Sequence, residues 1–251
     1  MTITDHDSID AAEYLRHHAD FFLSEEVTAV MPSGTEMHLG VYGISERNHA
    51  EIQRRRSDLV SLLAYLQEQK LFFSANHIFS GLTGRRVRED FSFFAARLPA
   101  FEIRNGQMRS GANLRAERAM QKLSKTGTAG SDSHTMAGLG RTYSEVPNAA
   151  TIDEFLRGLR AGGSQIHGAH GSYLKITMDV YRIAWSVLSE NPWVLPAFPL
   201  AMVIPIFTAF HWLNEMQFYH TWAGALEIDE KHPATVRTLD SRLDAASELS
   251  V

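Results

Sequence analysis

Six side chains of this sequence could together hold metal ions: His6, Glu26, His38, His77, Asp132 and His134. Each lies in or near the end of a short apolar run that reads as a strand. In parallel α/β folds the carboxyl ends of strands line one crevice, so ligands far apart in sequence can converge. Carboxylates can bridge ions, neutral imidazoles fill terminal positions, and bound water loses a proton near neutral pH, which is what a multinuclear hydrolytic centre needs. The chain has twelve His and no Cys, so disulfides, thiolate zinc sites and cysteine nucleophiles are excluded, and any transition metal must sit on His and carboxylate. A single His at a strand end is more often a polar rim residue, and Asp132 alone could cap a turn. Repetition of acid and His at strand ends within one domain is what favours ligation.

The elements that would position these residues alternate. Strands are expected at 1–3, 26–31, 37–42, 71–79, 101–104 and 126–129. Helices are expected from Ser8 to about Phe22, from Ile44 to about Gln69, and over 89–97, 112–124 and 151–162, the last opened by a capping box of Thr151 and Glu154. This order predicts an α/β domain with a mostly parallel sheet. With 44% hydrophobic and 21% charged residues among 251, disorder is excluded; the net charge of −5 is not that of a nucleic-acid binder. The first ten residues contain no Lys or Arg and do not read as a secretory signal, which leaves a cytoplasmic protein as the expectation.

The motifs that carry these residues resemble those of the PHP (polymerase and histidinol phosphatase) superfamily. Thr4-Asp5-His6-Asp7-Ser8-Ile9 resembles its second motif, and Gly130-Ser131-Asp132-Ser133-His134 its last, the most specific match. Between them, Glu26-Val27-Thr28 resembles a Gly-x-Glu segment, the stretch from Glu36 to Gly43 one that carries a liganding His, and Ala75-Asn76-His77 an Ala-His-Pro segment. The resemblance implies a distorted (β/α)₇ barrel and a site of two or three divalent ions (Zn, Mn or Fe) that hydrolyses phosphate esters of small substrates. His6, Glu26, His38, His77, Asp132 and His134 would be ligands; Asp5 would orient a ligand by hydrogen bond; Asp5, His6, Asp132 and His134 would be the catalytic group. Departures are Ile78 where Pro is usual, Ser24 where Gly is usual, and no counterpart of the family's opening His-x-His strand, so the barrel is expected to lack its first strand. Two readings follow: Met1 is internal to a longer natural protein, or the short form is genuine and catalytically impaired, a partner-binding or membrane-associated remnant.

Other residues fit less well. Arg85, Arg86 and Arg88 follow His77 and could clamp a phosphate or form a solvated turn. Arg54, Arg55 and Arg56 read as a solvated helix face, and His17 and His18 as surface. His167 and His170 read as structural or rim residues. His211 and His220 stay unassigned, with Glu215 the acid nearby. The expected division is a PHP-like domain over 1–171, an apolar helical appendage over 172–226, and a polar tail over 227–251. Pro192 to Leu213 gives 22 residues without a formal charge, interrupted by four Pro and flanked by Trp. It is expected to meet a membrane, at the inner face or as a short kinked span over 197–213, or a second copy of the chain, or to pack on the barrel.

Overall fold

The computed structural model describes residues 1–226; the expected polar tail lies outside the described residues. Six strands form one sheet in chain order: β1 (Asp5–His6), β2 (Ser24–Val30), β3 (Glu36–Tyr42), β4 (Phe72–Ala75), β5 (Ala100–Asn105) and β6 (Thr126–Gly130). The β1–β2, β4–β5 and β5–β6 pairs are parallel, whereas β2–β3 and β3–β4 are antiparallel. The sheet is therefore mixed rather than mostly parallel. Among the described residues β1 and β6 are its edges and no closure into a barrel is seen. The reason for the mixture is local. Gly34, at φ +81, turns the chain tightly, and the Met31 amide closes on the Thr35 carbonyl at 2.8 Å, so β3 returns alongside β2 as a hairpin.

The helices are α1 (Asp10–Glu13), α2 (Glu46–Arg55), α3 (Leu59–Glu68), α4 (Arg88–Arg97), α5 (Ser110–Lys122), α6 (Ile152–Arg160), α7 (Tyr173–Glu190) and α8 (Ile204–Thr221), with a 3₁₀ stretch over Pro192–Val203. The expected first helix is only α1, followed by turns. The expected helix over 44–69 is two, because Asp58 leaves the helical region and caps a new one, its carboxylate accepting the Val60 and Ser61 amides at 3.0 and 3.3 Å. Ser45 and Asn48 form a capping box on α2, and the box of Thr151 and Glu154 on α6 forms as expected. Leu59, Leu62 and Leu66 recur at helical spacing on α3 and are fully buried, each contributing about 1.5–3 kcal/mol. Two strands were not expected: β7 (Thr142–Glu145) and β8 (Gln165–Gly168) form a separate antiparallel ribbon, tied to β6 where the Ala129 amide donates to Ser144 Oγ at 2.7 Å.

The C-terminal helices α7 and α8 pack on each other, and α8 packs on α5. Tyr219 and Leu226 join the main core. Tyr219 lies so close to Gly111 of α5 that a Cβ there would stand 2.8 Å from its ring. The Thr177 and Thr208 hydroxyls link α7 to α8 at 2.8 Å. Trp193, Leu200, Met202, Phe207 and Phe210 stay exposed. No helix among the described residues is long and apolar enough to cross a membrane.

Candidate metal centre

Strand register brings the first three candidates together. His6 on β1 stands directly beside Glu26 on β2, which faces Gly40 on β3; His38, two residues back on β3, is therefore Glu26's diagonal neighbour on the same face. Alternation sends the adjacent Glu25 through the sheet, where its carboxylate meets His49 Nδ1 at 2.8 Å and Gln53 at 2.9 Å. Gly40 is needed opposite Glu26, since a Cβ there would lie 2.7 Å from the Tyr42 hydroxyl. One ligand atom each of His6, Glu26 and His38 fall within 4.8 Å of one another.

His77 follows β4 in a left-handed conformation, φ +30, which turns its ring back over the cluster. Its Nε2 lies 3.3 Å from Glu26 Oε1 and 3.0 Å from His38 Nδ1. Asn76 Nδ2 donates to Glu26 Oε1 at 3.0 Å, and the His77 amide donates to Glu102 Oε2 at 3.0 Å. Burial would raise the Glu26 carboxyl, but hydrogen bonds from His38 and His77 hold it well below the usual carboxylate range. Burial would likewise lower His77; Glu26 outweighs it and carries the imidazole up to about 9. Burial pushes Glu102 up to about 8, His77 opposing and Asp132 adding to the rise. Three imidazoles around one ionised carboxylate offer a divalent ion the nitrogen and oxygen donors it prefers; the other ring nitrogen of His77, Nδ1, is buried with no hydrogen-bond partner.

Asp132 and His134 follow β6 and line the same cleft as His6, His38 and His77; the cleft measures about 320 Å³. Asp132 takes φ +46, and Asn105 Nδ2 donates to both its Oδ2, at 3.1 Å, and Glu102 Oε2, at 3.0 Å. Asp5 is exposed, and its Oδ1 accepts the His6 amide at 3.1 Å instead of orienting a ligand's ring. The arginine expectation needs correction. Arg86 is buried: its guanidinium donates to Thr83, Thr35 and the Glu36 carbonyl and stacks over Phe94, so it braces the start of β3. Arg85 and Arg88 are exposed and do not line the cleft; Arg109 does, its guanidinium 4.3 Å over the Trp212 ring. His167 pairs with Glu145 at 2.8 Å and His170 with Asn113 at 2.9 Å, both away from the cluster.

Glu102 and Asn105 were not singled out from the sequence. The available signal is an acid inside the apolar run Ala100–Ile103, a place where a carboxylate persists only with partners. Asp179 was missed for the opposite reason. It lies on an amphipathic helix, reads as solvated, and is instead buried on the cleft wall with Gln107 at 3.0 Å, Thr135 at 3.2 Å and Arg182 at 2.8 Å.

Residues 110–164, from α5 through α6 and containing Asp132 and His134, match the PHP-associated family model. No curated protein sequence matches the chain. Among solved structures the fold is similar to PsfC from Pseudomonas syringae PB-5123, at 16% identity and a TM-score of 0.53, covering 73% of this chain and 83% of that one. Weaker likenesses are to a two-domain protein of Bacteroides vulgatus containing a predicted PHP-like metal-dependent phosphoesterase (13% identity, TM-score 0.47, covering 72% of this chain and 60% of that one) and to PfuEndoQ, a lesion-specific endonuclease of Pyrococcus furiosus (15% identity, TM-score 0.44, covering 66% and 49%).

Proposed function

We propose that this chain is a metal-dependent hydrolase of the PHP superfamily whose substrate is a small phosphate ester. The observation that carries the proposal is the convergence of His6, Glu26 and His38 within 4.8 Å, with both imidazoles lining one cleft. These three would hold the first ion, with His77, Asp132 and His134 as further donors around the cleft. A divalent ion bound there supplies Lewis acidity and a water of lowered pKa. Glu26, held ionised by its imidazole neighbours, keeps the negative charge that attracts the cation. Asn105 holds the Asp132 carboxylate and Glu102 in fixed orientation, as outer partners of metal ligands do. Arg109, held over Trp212, presents a guanidinium to the cleft and is the group we assign to the phosphoryl oxygens. The cleft's size favours a small ester over a long polymer.

The test is hydrolysis of a generic aryl phosphate by the full chain reconstituted with Mn or Zn. Turnover that disappears in Glu26→Gln and falls in Arg109→Ala supports the proposal. Metal binding without turnover on any ester would favour a second reading, a non-catalytic scaffold that docks a partner, for which the exposed apolar residues between Trp193 and Phe210 speak.

A further inference from the structure

We infer that α8 brings a second cation seat to this cleft, formed by the Glu215 carboxylate and the His211 imidazole. The inference rests on the metal-dependent reading of the site but uses none of its six ligands. His211 and Glu215 are four residues apart, so they stack on one face of α8, and both line the cleft that His6, His38 and His77 line. Glu215 is 6% exposed. Its Oε1 accepts the Gly81 amide at 3.0 Å, while its Oε2 is buried with no hydrogen-bond partner.

A clamp on the loop after His77 explains only half of that arrangement. Gly81 approaches so closely that a Cβ would stand 3.3 Å from Oε1, so one oxygen does pin the loop. A glutamine would pin it equally well through its carbonyl oxygen and would bury no charge. The second, unpartnered oxygen is the feature that needs a ligand. Burial pushes the Glu215 carboxyl up; the groups that oppose this are the Ser80 hydroxyl, the His211 imidazole on its own helix, the Gly81 amide and the His77 imidazole, none of them a permanent cation. A buried carboxylate oxygen without a hydrogen-bond partner, beside imidazoles, is a donor set for a divalent ion rather than for an organic anion. The helix spacing adds a separate reason, since residues four apart present two donors to one ion without any backbone adjustment.

The experiment is calorimetric titration of the full metal-free chain with Mn, repeated with Zn, on wild type, Glu215→Gln, His211→Asn and Glu26→Gln. Glu215→Gln keeps the acceptor for Gly81, so its melting, followed by circular dichroism, is expected to match wild type. His211 lies half-buried on the wall and provides the variant to read if Glu215→Gln does not fold. The expected result is two binding events in wild type, with the weaker one lost in Glu215→Gln and weakened about tenfold or more in His211→Asn, while the tighter one is lost only in Glu26→Gln. Unchanged binding in both α8 variants overturns the second seat and leaves the first intact. Absence of any binding by wild type overturns the first centre and the second with it.

Discussion

The two walls of the cleft are built in different ways. One wall is strand register: His6, Glu26 and His38 sit on neighbouring strands, and ladder hydrogen bonds set their spacing. The other wall is α7 and α8, fastened by scattered polar contacts such as Gly81–Glu215, Gln107–Asp179 and Thr177–Thr208. A register error of one residue would turn Glu26 to the far face, where Glu25 already points, so the first wall is specified by every pair in the ladder. The second can shift as a helix without unpairing a strand. The metal cluster should therefore be rigid and intolerant, and the helical wall adjustable.

The largest expected effect lies in the cluster. Glu26→Gln removes the one carboxylate shared by three imidazoles, and divalent affinity should fall about 100-fold or more, measured by competition with a chromogenic chelator. Retained affinity would mean that the imidazoles alone make the site. Next is Gly40→Val, which places a branched side chain where even a Cβ meets the Tyr42 hydroxyl at 2.7 Å. A cost of about 1–3 kcal/mol in denaturant unfolding is expected, together with weakened metal binding, because the strain lies opposite Glu26. Asp179→Ala should cost about 1 kcal/mol by removing the acceptor of the half-buried Gln107 and Thr135 donors, with metal affinity unchanged. A parallel loss of metal affinity would show that the two walls are coupled.

The smallest effect is a slope with pH. In metal-free protein His77 is raised from 6.5 to about 9, so its stabilisation is complete below 6.5 and is lost as pH rises through 9. Glu102, raised from 4.5 to about 8, loses its contribution in the same direction between those values. The melting temperature of metal-free protein should fall between about pH 6 and pH 9, and saturating Zn should flatten the slope. A rise over that interval would contradict the charge arrangement derived for the cluster.

Much of this contrast was legible before the fold. Glu26 and His38 stand out because they interrupt apolar strands, and Asp132 and His134 because acid and imidazole follow a glycine-ended strand. The capping box of α6 is a purely local signal and was read correctly. Long-range features were not legible. The β2–β3 hairpin follows from five intervening residues, too few for a parallel crossover, but the mixed sheet it starts was not drawn from that spacing; the α2–α3 break depends on one aspartate choosing to cap. The inward turn of Arg86, with Arg85 and Arg88 left in solvent, depends on loop geometry that three similar residues do not encode. Glu215 shows the same limit from the other side: its spacing from His211 is visible in the sequence, but its place opposite His77 is a product of how α8 docks.

The central claim, that His6, Glu26 and His38 hold a divalent ion, is tested most directly by visible spectroscopy of the metal-free full chain titrated with Co(II). The account predicts ligand-field absorption that saturates with added ion in wild type and is abolished in His38→Ala and Glu26→Gln, both variants remaining folded by circular dichroism. Absorption in the two variants equal to that of wild type, or none in wild type at saturating Co(II), would contradict it.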